Sequence, residues 1–556
     1  MLTKLLFHYG LSLKGKLALK RFLRNTDTPQ QVQHKLLESI LKTNANTHYG
    51  KQYSFDEIQN VHDYQQQVPV VEYQDIEPYV QKSAQGVADQ LFTGVPMYFA
   101  TTSGSTGTPK FIPISKRSHK ETHTKIVTLT AYLALKNCPS AFNGKIMGIG
   151  APAIEGYTEG GISYGSASGQ IEKGANSIIK KKYALPPAIA EIKDYTAKYY
   201  ALLRLSMEQD VSIIITANPS TLIALARYMN QWKDMLLENV RTGTYEKSFD
   251  FGEEAPAYFR SLKANPKKAQ QIEELMGNSS QLLPVHLWPN LKLLTCWMGG
   301  NCKNYLDSVK KLYGNVDIKD PGFMASEMRS AIPLRLNDSS GVLAIHDNFY
   351  EFVAVEEIEQ VDRRFLTLAE VEVGKQYYIF ITNHSGLYRY NMNDIIAVTG
   401  YHQKTPEIVF IQKGKGITSI TGEKLFEQQV IMAMDRLKEE EGLGVPFYMV
   451  LANKQTEGYE LYLEGDKALS SEDLKHIGAQ YDTYLKELNI EYKTKRDSSR
   501  LIPLKVTQVA EHSYEHYRQW RLSQGVRGAQ FKMNYLVDET AHVEALQHYR
   551  EGVQQS

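Results

Sequence analysis

A run of β-branched residues, Val211-Ser212-Ile213-Ile214-Ile215-Thr216, stands directly ahead of Asn218-Pro219 and of a stripe formed by Leu222, Leu225, Met229, Trp232 and Leu236. The run has the composition of a strand. Asn218 reads as a helix cap with Pro219 at the first helical position, and the stripe recurs at helical spacing, so it should face a core. A strand followed at once by a core-facing helix is the unit of an α/β protein. The same alternation recurs along the chain without an internal repeat or a low-complexity tract. At 556 residues, and roughly 150 per domain, the chain has room for about three to four structural units.

Later segments change character. Tyr377-Tyr378-Ile379-Phe380-Ile381-Thr382 and Leu387-Tyr388-Arg389-Tyr390 read as strands around a turn at His384-Ser385-Gly386, and Ile408-Val409-Phe410-Ile411 as another. Lys413-Gly414-Lys415-Gly416 follows, either an ordinary turn or a hinge, since glycine permits backbone excursions that other residues resist. Beyond it the pattern predicts a helix near Leu425 to Leu437, strands near Phe447 to Leu451 and Tyr459 to Leu463, a helix from Glu472 to Leu488 and a strand near Val506. These make a small α+β domain, so the chain divides into residues 1–411 and 412–556.

Composition excludes several function classes. Sixty-three Lys and Arg against 62 Asp and Glu give no charge imbalance that would point to nucleic acid or a membrane surface. Basic residues crowd the N-terminus (Lys4, Lys14, Lys16, Lys20, Arg21, Arg24), but Leu5-Leu6-Phe7 is too short for a signal-peptide core or a membrane span; the segment reads as a soluble amphipathic helix, with a surface anchor as the alternative. Cys138, Cys296 and Cys302 have no spacing that suits a disulfide framework or a zinc site, as expected of a cytoplasmic protein.

The segment with the clearest chemistry is Thr101-Thr102-Ser103-Gly104-Ser105-Thr106-Gly107-Thr108-Pro109-Lys110. Small side chains let backbone N–H groups approach an anion, hydroxyls add donors, and a lysine supplies charge for a polyphosphate. It is not a Walker loop, because Gly104 and Gly107 stand three apart and Thr108-Pro109 intervenes before Lys110. A plain Ser/Thr/Gly linker has the same composition, but strand-like Met97 to Ala100 and Phe111 to Ile114 flank it.

Ser103 to Lys110 resembles the phosphate loop of the acyl-adenylate-forming superfamily, which includes acyl-coenzyme A synthetases, luciferases and peptide-synthetase adenylation domains. Phe323-Met324-Ala325-Ser326-Glu327 resembles that superfamily's Tyr-Gly-x-Thr-Glu string, whose aromatic ring stacks on adenine and whose glutamate helps hold magnesium. Alone it could equally be a helix cap at Ser326 with Glu327 in the first turn. Gly386-Leu387-Tyr388-Arg389-Tyr390-Asn391-Met392-Asn393-Asp394 is similar to the Leu-Tyr-Arg-Tyr-Arg-Val-Gly-Asp string of the Gretchen Hagen family, acyl-acid amido synthetases that join hormones such as auxin or jasmonate to amino acids. Asp394 stands where the family's aspartate accepts hydrogen bonds from ribose hydroxyls. The family's glycine is Asn393 here, a residue that tolerates positive φ, and its arginine is Asn391. Ala45-Asn46-Thr47-His48-Tyr49-Gly50, the block from Asn218 through Thr244, and Leu287-Trp288-Pro289 leading to Met298-Gly299-Gly300 follow the same family in the same order.

The resemblance implies a large N-terminal domain of mixed β-sheets, helices and a small β-barrel, and a smaller mobile C-terminal domain. It implies ATP and Mg²⁺ as cofactors, with a carboxylic acid and an amine, an amino acid in the relatives, as substrates. Ser103, Gly104, Ser105, Thr106, Gly107 and Lys110 would cradle phosphate, Phe323, Ala325, Ser326 and Asp394 would hold adenosine, and Glu327 the metal. Gly528-Ala529-Gln530-Phe531-Lys532 is similar to the family's Gln-Phe-Lys-x-Pro-Arg ending, which gives Lys532 the role of the lysine that approaches acid and α-phosphate; the Pro-Arg continuation is replaced by Asn534-Tyr535. Gly422-Glu423-Lys424 is similar to a superfamily turn and offers Lys424 to the nucleotide. Gly160 to Gly169, rich in glycine and serine, is either a wall of the acyl pocket or a plain loop. Two rival functions share these motifs: an acyl-coenzyme A synthetase, and an adenylate-fold binding protein that has lost its chemistry.

Overall fold

The computed structural model describes residues 2–102, 110–150, 152–167, 169–170, 177–358, 360–414, 416–465, 468–523, 533–538 and 540–546. The chain forms two compact units, one from Met1–Thr101 and Phe111–Gln412 and a second from Thr102–Lys110 and Lys413–Ser556.

In the first unit the strand Val211–Ile215 lies second in a four-stranded sheet ordered Lys145–Gly148, Val211–Ile215, Leu293–Thr295, Asp317–Lys319. All three pairings are parallel, as expected where helices cover a sheet's faces. The helix after Val211–Ile215 starts at Ser220, one residue beyond the proline, because Asn218 Oδ1 accepts a hydrogen bond from Ser220 N at 2.8 Å. The predicted stripe spans two helices, Ser220–Gln231 and Lys233–Thr242, with Trp232 at the break. Leu222, Leu225, Met229 and Leu236 are fully buried, in one core with Ile214, Leu294 and Ile318 of the sheet.

The other two sheets of this unit share a second core. One is ordered Lys110–Ile114, Tyr98–Thr102, Ser163–Gly165, Gly156–Tyr157. The other has seven strands, ordered Asn348–Ala354, Gln376–Asn383, Tyr390–His402, Thr405–Lys413, Gly341–Leu343, Arg329–Ile332, Phe323–Met324. Phe99 and Ile112 of the first pack in the same cluster as Phe352, Ile379 and Ile396 of the second. Asn348–Ala354 is buried at every position, so it reads as continuous rather than alternating in hydrophobicity.

The N-terminal helix, Leu2–Phe22, approaches the helix Thr124–Asn137 closely at Gly15, where a Cβ would come within 2.2 Å of Tyr132. No helix among the described residues is long and apolar enough to cross a membrane.

The second unit contains the expected elements with slightly shifted ends: helix Glu427–Glu441, strands Phe447–Asn453 and Gly458–Glu464, helix Ser471–Leu488 and strand Lys505–Gln508. Leu536–Val537 completes a four-stranded sheet on the far side of Phe447–Asn453. Alternation along Phe447–Asn453 divides the packing: Tyr448, Val450 and Ala452 join Met434, Leu437, Tyr481 and Leu485 on one face, and Phe447, Met449 and Leu451 join Tyr517 and Val543 on the other. The helices Ile490–Asp497 and Ser513–Ser523 have no counterpart in the sequence reading.

Candidate functional site

The carboxyl ends of the parallel strands set the stage, since ligands of open α/β sheets bind beyond them. Leu293–Thr295 and Asp317–Lys319 are neighbours, and the segments leaving them are tied together: Asp320 accepts from Met298 N and from Gly322 N, each at 2.7 Å, and Trp297 Nε1 donates to Gly322 O at 3.1 Å. Burial pushes the Asp320 carboxyl up to about 6, against the pull of those two N–H groups. Gly300 sits at φ +55°, and a Cβ there would meet the Phe410 ring and Ile411 O at 2.8 Å.

This clamp delivers the chain to Phe323. The residues Ala325 to Met328 form a tight turn between antiparallel strands Phe323–Met324 and Arg329–Ile332, closed by Ala325 N donating to Met328 O at 2.9 Å. The helix-cap alternative for Ser326 and Glu327 is therefore wrong: the segment is a hairpin turn. Phe323 stacks on Phe410 with ring centroids 5.6 Å apart and planes 25° apart. Glu327 is buried, and its carbonyl accepts from Asn383 Nδ2 at 3.0 Å.

Asp394 comes from the seven-stranded sheet. The sequence reading made Leu387–Tyr390 a strand, but the strand starts only at Tyr390. Arg389, at φ +45°, breaks it. Its guanidinium turns inward, with Nε 3.1 Å from both Glu351 carboxylate oxygens and Nη1 donating to Gln65 O at 2.6 Å and Val68 O at 2.9 Å. The side chains of a tertiary bracket thus override local strand propensity. Tyr388 stacks on Tyr49 of the N-terminal block at 5.0 Å and donates to Leu91 O at 2.6 Å.

Two residues further, the ladder between Gln376–Asn383 and Tyr390–His402 shifts register, from Phe380 opposite Asn391 to Tyr378 opposite Ile395. Met392 to Asp394 face the single residue Ile379, so the bulge adds two residues. Asn393 takes φ +47°, a conformation asparagine tolerates, and its N–H is held by Asn391 Oδ1 at 2.9 Å. Asn391 thus caps its own bulge. Asp394 is buried on the bulge.

The two carboxylates converge on Tyr390. Burial above all, then Glu327, Tyr73, Glu72 and Asp394, hold that phenol well above its ordinary range. Tyr73 in turn accepts from Phe111 N at 3.0 Å, on the strand that leads away from Lys110. Lys110 opens that strand half-buried. Ser103, Gly104, Ser105, Thr106, Gly107 and Lys532 lie outside the described residues. Upstream, Thr101 Oγ1 donates to Glu155 Oε2 at 2.9 Å, and Ser163–Gly165 pairs parallel with Tyr98–Thr102. Part of the Gly160 to Gly169 segment is therefore a strand, Ser163–Gly165, beside Tyr98–Thr102, not a plain loop.

Glu423 in the second unit has no spare capacity, since its two oxygens accept from Ile420 N, Thr421 N, Thr421 Oγ1 and Tyr459 OH at 2.7–2.9 Å. It shapes the turn at Gly422 (φ +97°), which presents half-buried Lys424. Sequence reading missed two groups. One is the Arg389–Glu351 pair. The other is buried Arg329, two residues past Glu327, beside His123, Tyr98 and Met324. No local pattern marks it, since an arginine opening a strand is ordinary until its burial is known.

Gly386 offers a test of this scaffold. It sits at φ +84°, where a Cβ would lie 2.5 Å from Leu91 Cβ and 3.1 Å from the Leu91 backbone. Gly386→Ala should destabilise the first unit by about 2 kcal/mol or more, from the left-handed backbone and the clash together. A thermal unfolding midpoint equal to that of the native chain would contradict this.

Comparison with known proteins identifies the family and the fold. The GH3 family N-terminal domain matches residues 18–318, the central domain 341–413 and the C-terminal domain 428–541. The chain belongs to the GH3 family. Among its relatives, indole-3-acetic acid-amido synthetase GH3.4 of Arabidopsis thaliana is 28% identical over 94% of this chain and 92% of its own length. Jasmonoyl–L-amino acid synthetase GH3.5 of Oryza sativa subsp. japonica is 25% identical over 90% and 91%. The solved structure of GH3.15 acyl acid amido synthetase matches the fold at a TM-score of 0.65, with 22% identity over 96% of each chain. The resemblance first read from Gly386 to Asp394 is the right one.

Proposed function

We propose that the chain, a ligase by its family, joins a carboxylic acid to an amine, an amino acid in the simplest case, through an acyl-adenylate. The observation that carries this reading is the convergence of Glu327, on a hairpin turn, and Asp394, on a bulge, around the buried Tyr390. A carboxylate that only accepts suits ribose hydroxyls, and a second carboxylate beside phosphates suits a hard cation.

The acid's carboxylate attacks the α-phosphorus of ATP and pyrophosphate leaves; the amine then attacks the acyl carbon of the mixed anhydride and AMP leaves. Ser103, Gly104, Ser105, Thr106, Gly107 and Lys110 hold the phosphates. Phe323, backed by Phe410 on one face, offers its other face to adenine, with Ala325 and Ser326 beside it, and Asp394 takes the ribose. Mg²⁺ would be held by Glu327 and phosphate oxygens and would supply charge neutralisation; one or two protein carboxylates are the usual number for that ion. Residues 412–556 act as the mobile domain, which brings Lys532 to the reacting anions and sets Lys424 toward the nucleotide. Three cysteines outside any disulfide suit a reducing cytoplasm.

Mass spectrometry of products, with coenzyme A and mixed amino acids competing, tests the second step. The expected product is an amide; a thioester without amide would make the chain an acyl-coenzyme A synthetase. Lys532→Ala should slow acid-dependent exchange of pyrophosphate into ATP by about 10²-fold. An unchanged rate would remove Lys532 from the chemistry.

A further inference from the structure

Three arginines among the described residues are buried: Arg204, Arg329 and Arg389. Arg204 donates to Thr244 O at 3.0 Å and Asn239 O at 2.9 Å and lies 3.7 Å from Glu208. Arg389 is paired with Glu351. Arg329 differs. Its guanidinium meets only His123 Nδ1, at 3.4 Å, and the sulfur of Met324, and it makes no ion pair among the described residues.

Its neighbours carry no negative charge. Burial and the nearby Arg329 cation drive the His123 imidazole down to about 3, so the ring is neutral at pH 7. Tyr98 is pushed up to about 12 by burial and keeps its proton. The guanidinium of Arg329 keeps its proton at pH 7. A buried cation without a counter-charge is expensive, and such groups persist where something pairs with them. Two further polar atoms nearby are buried and make no hydrogen bond, Tyr98 OH and His119 Nδ1, their rings 5.7 Å apart. A cleft of about 570 Å³ also carries cations, but Lys125 there is paired with Glu121, and Arg21 and Lys125 both act on Asp347.

We propose that Arg329, with Tyr98 and His119 beside it, binds a second anionic group on the acid, so that the substrate is a dicarboxylic acid or another acid with an anion on its body. The inference rests on the adenylation reading of the same site. Arg329 stands directly opposite Met324 in the hairpin whose turn holds Ala325 to Glu327, so the cation and the residues proposed to hold the nucleotide and its metal belong to one hairpin. One carboxylate goes to the α-phosphorus; the other stays ionised against the guanidinium, unreacted.

The test uses the full chain and matched acids: hexanoate against adipate, and phenylacetate against 1,4-phenylenediacetate. Acid-dependent pyrophosphate exchange should favour each diacid by about 100-fold in kcat/KM. Arg329→Met should lower that diacid-to-monoacid ratio at least 30-fold, with Arg329→Lys intermediate. Calorimetric binding of each diacid without ATP should weaken in the same order. Equal loss for monoacids and diacids in Arg329→Met, a native preference for monoacids, or no calorimetric binding of any diacid would overturn the inference. Diacid binding that depends on Arg329 without exchange for any acid would leave it standing and sink adenylation instead. Should Arg329→Met fail to fold, Arg329→Lys and Tyr98→Phe carry the comparison.

Discussion

Glu327→Gln should reduce acid-dependent pyrophosphate exchange by about 10²–10³-fold, the effect of removing one electrostatic partner from a charged transition state. The substitution is close to isosteric. The turn that carries residue 327 is fixed by backbone, through Ala325 N to Met328 O and Asn383 Nδ2 to Glu327 O, so the loss should appear in the rate and not in the unfolding midpoint. A raised Mg²⁺ requirement should accompany it. Exchange at the native rate with the native Mg²⁺ dependence would remove Glu327 from the site, and with it the equivalence drawn from the Phe323 to Glu327 string.

The second large effect is on stability. Arg389→Met strands the Glu351 carboxylate in the core and leaves the carbonyls of Gln65 and Val68 without their donor. Breaking a buried pair from one side costs about 3–5 kcal/mol. Burial already raises the Glu351 carboxyl, and Arg389 is the main group holding it down, so without the arginine Glu351 takes up a proton. Its raised carboxyl binds more protons folded than unfolded, and the variant's deficit should therefore grow as pH rises above the ordinary carboxylate range and shrink in acid. Adding Glu351→Met should recover much of the loss. Urea unfolding followed by tryptophan emission reads this, since Trp232, Trp288 and Trp297 all lie in the first unit. A single variant within about 1 kcal/mol of the native chain would show that the pair is not holding the Asp394 segment.

Periodicity revealed the parts of the fold that periodicity controls. The Leu222 to Leu236 stripe and the alternation of Phe447–Asn453 are local patterns that survive packing unchanged, and both were legible. Residues whose conformation is set by distant partners were not. Leu387–Arg389 has the composition of a strand, yet Arg389 is drawn to φ +45° by Glu351 and by two carbonyls more than three hundred positions away in the chain. The same holds for the site. Asn393 could be assigned positive φ because asparagine tolerates it, whereas Asn391 revealed only a missing arginine, and its use as the cap of the bulge depends on a hydrogen bond that no spacing encodes. Arg329 was invisible for a different reason: one arginine in a strand is unremarkable until burial and the neutrality of His123 and Tyr98 are known.

The departures of this chain from the family string at Asn391 and Asn393 preserve a backbone shape by other means.

The most direct test of the account is exchange of labelled pyrophosphate into ATP, measured with the full chain across a panel of monocarboxylic and dicarboxylic acids with Mg²⁺ present. Exchange that depends on the acid and falls in Glu327→Gln and Lys532→Ala is the predicted result; exchange with no acid in the panel, from a folded protein that binds ATP, would contradict it.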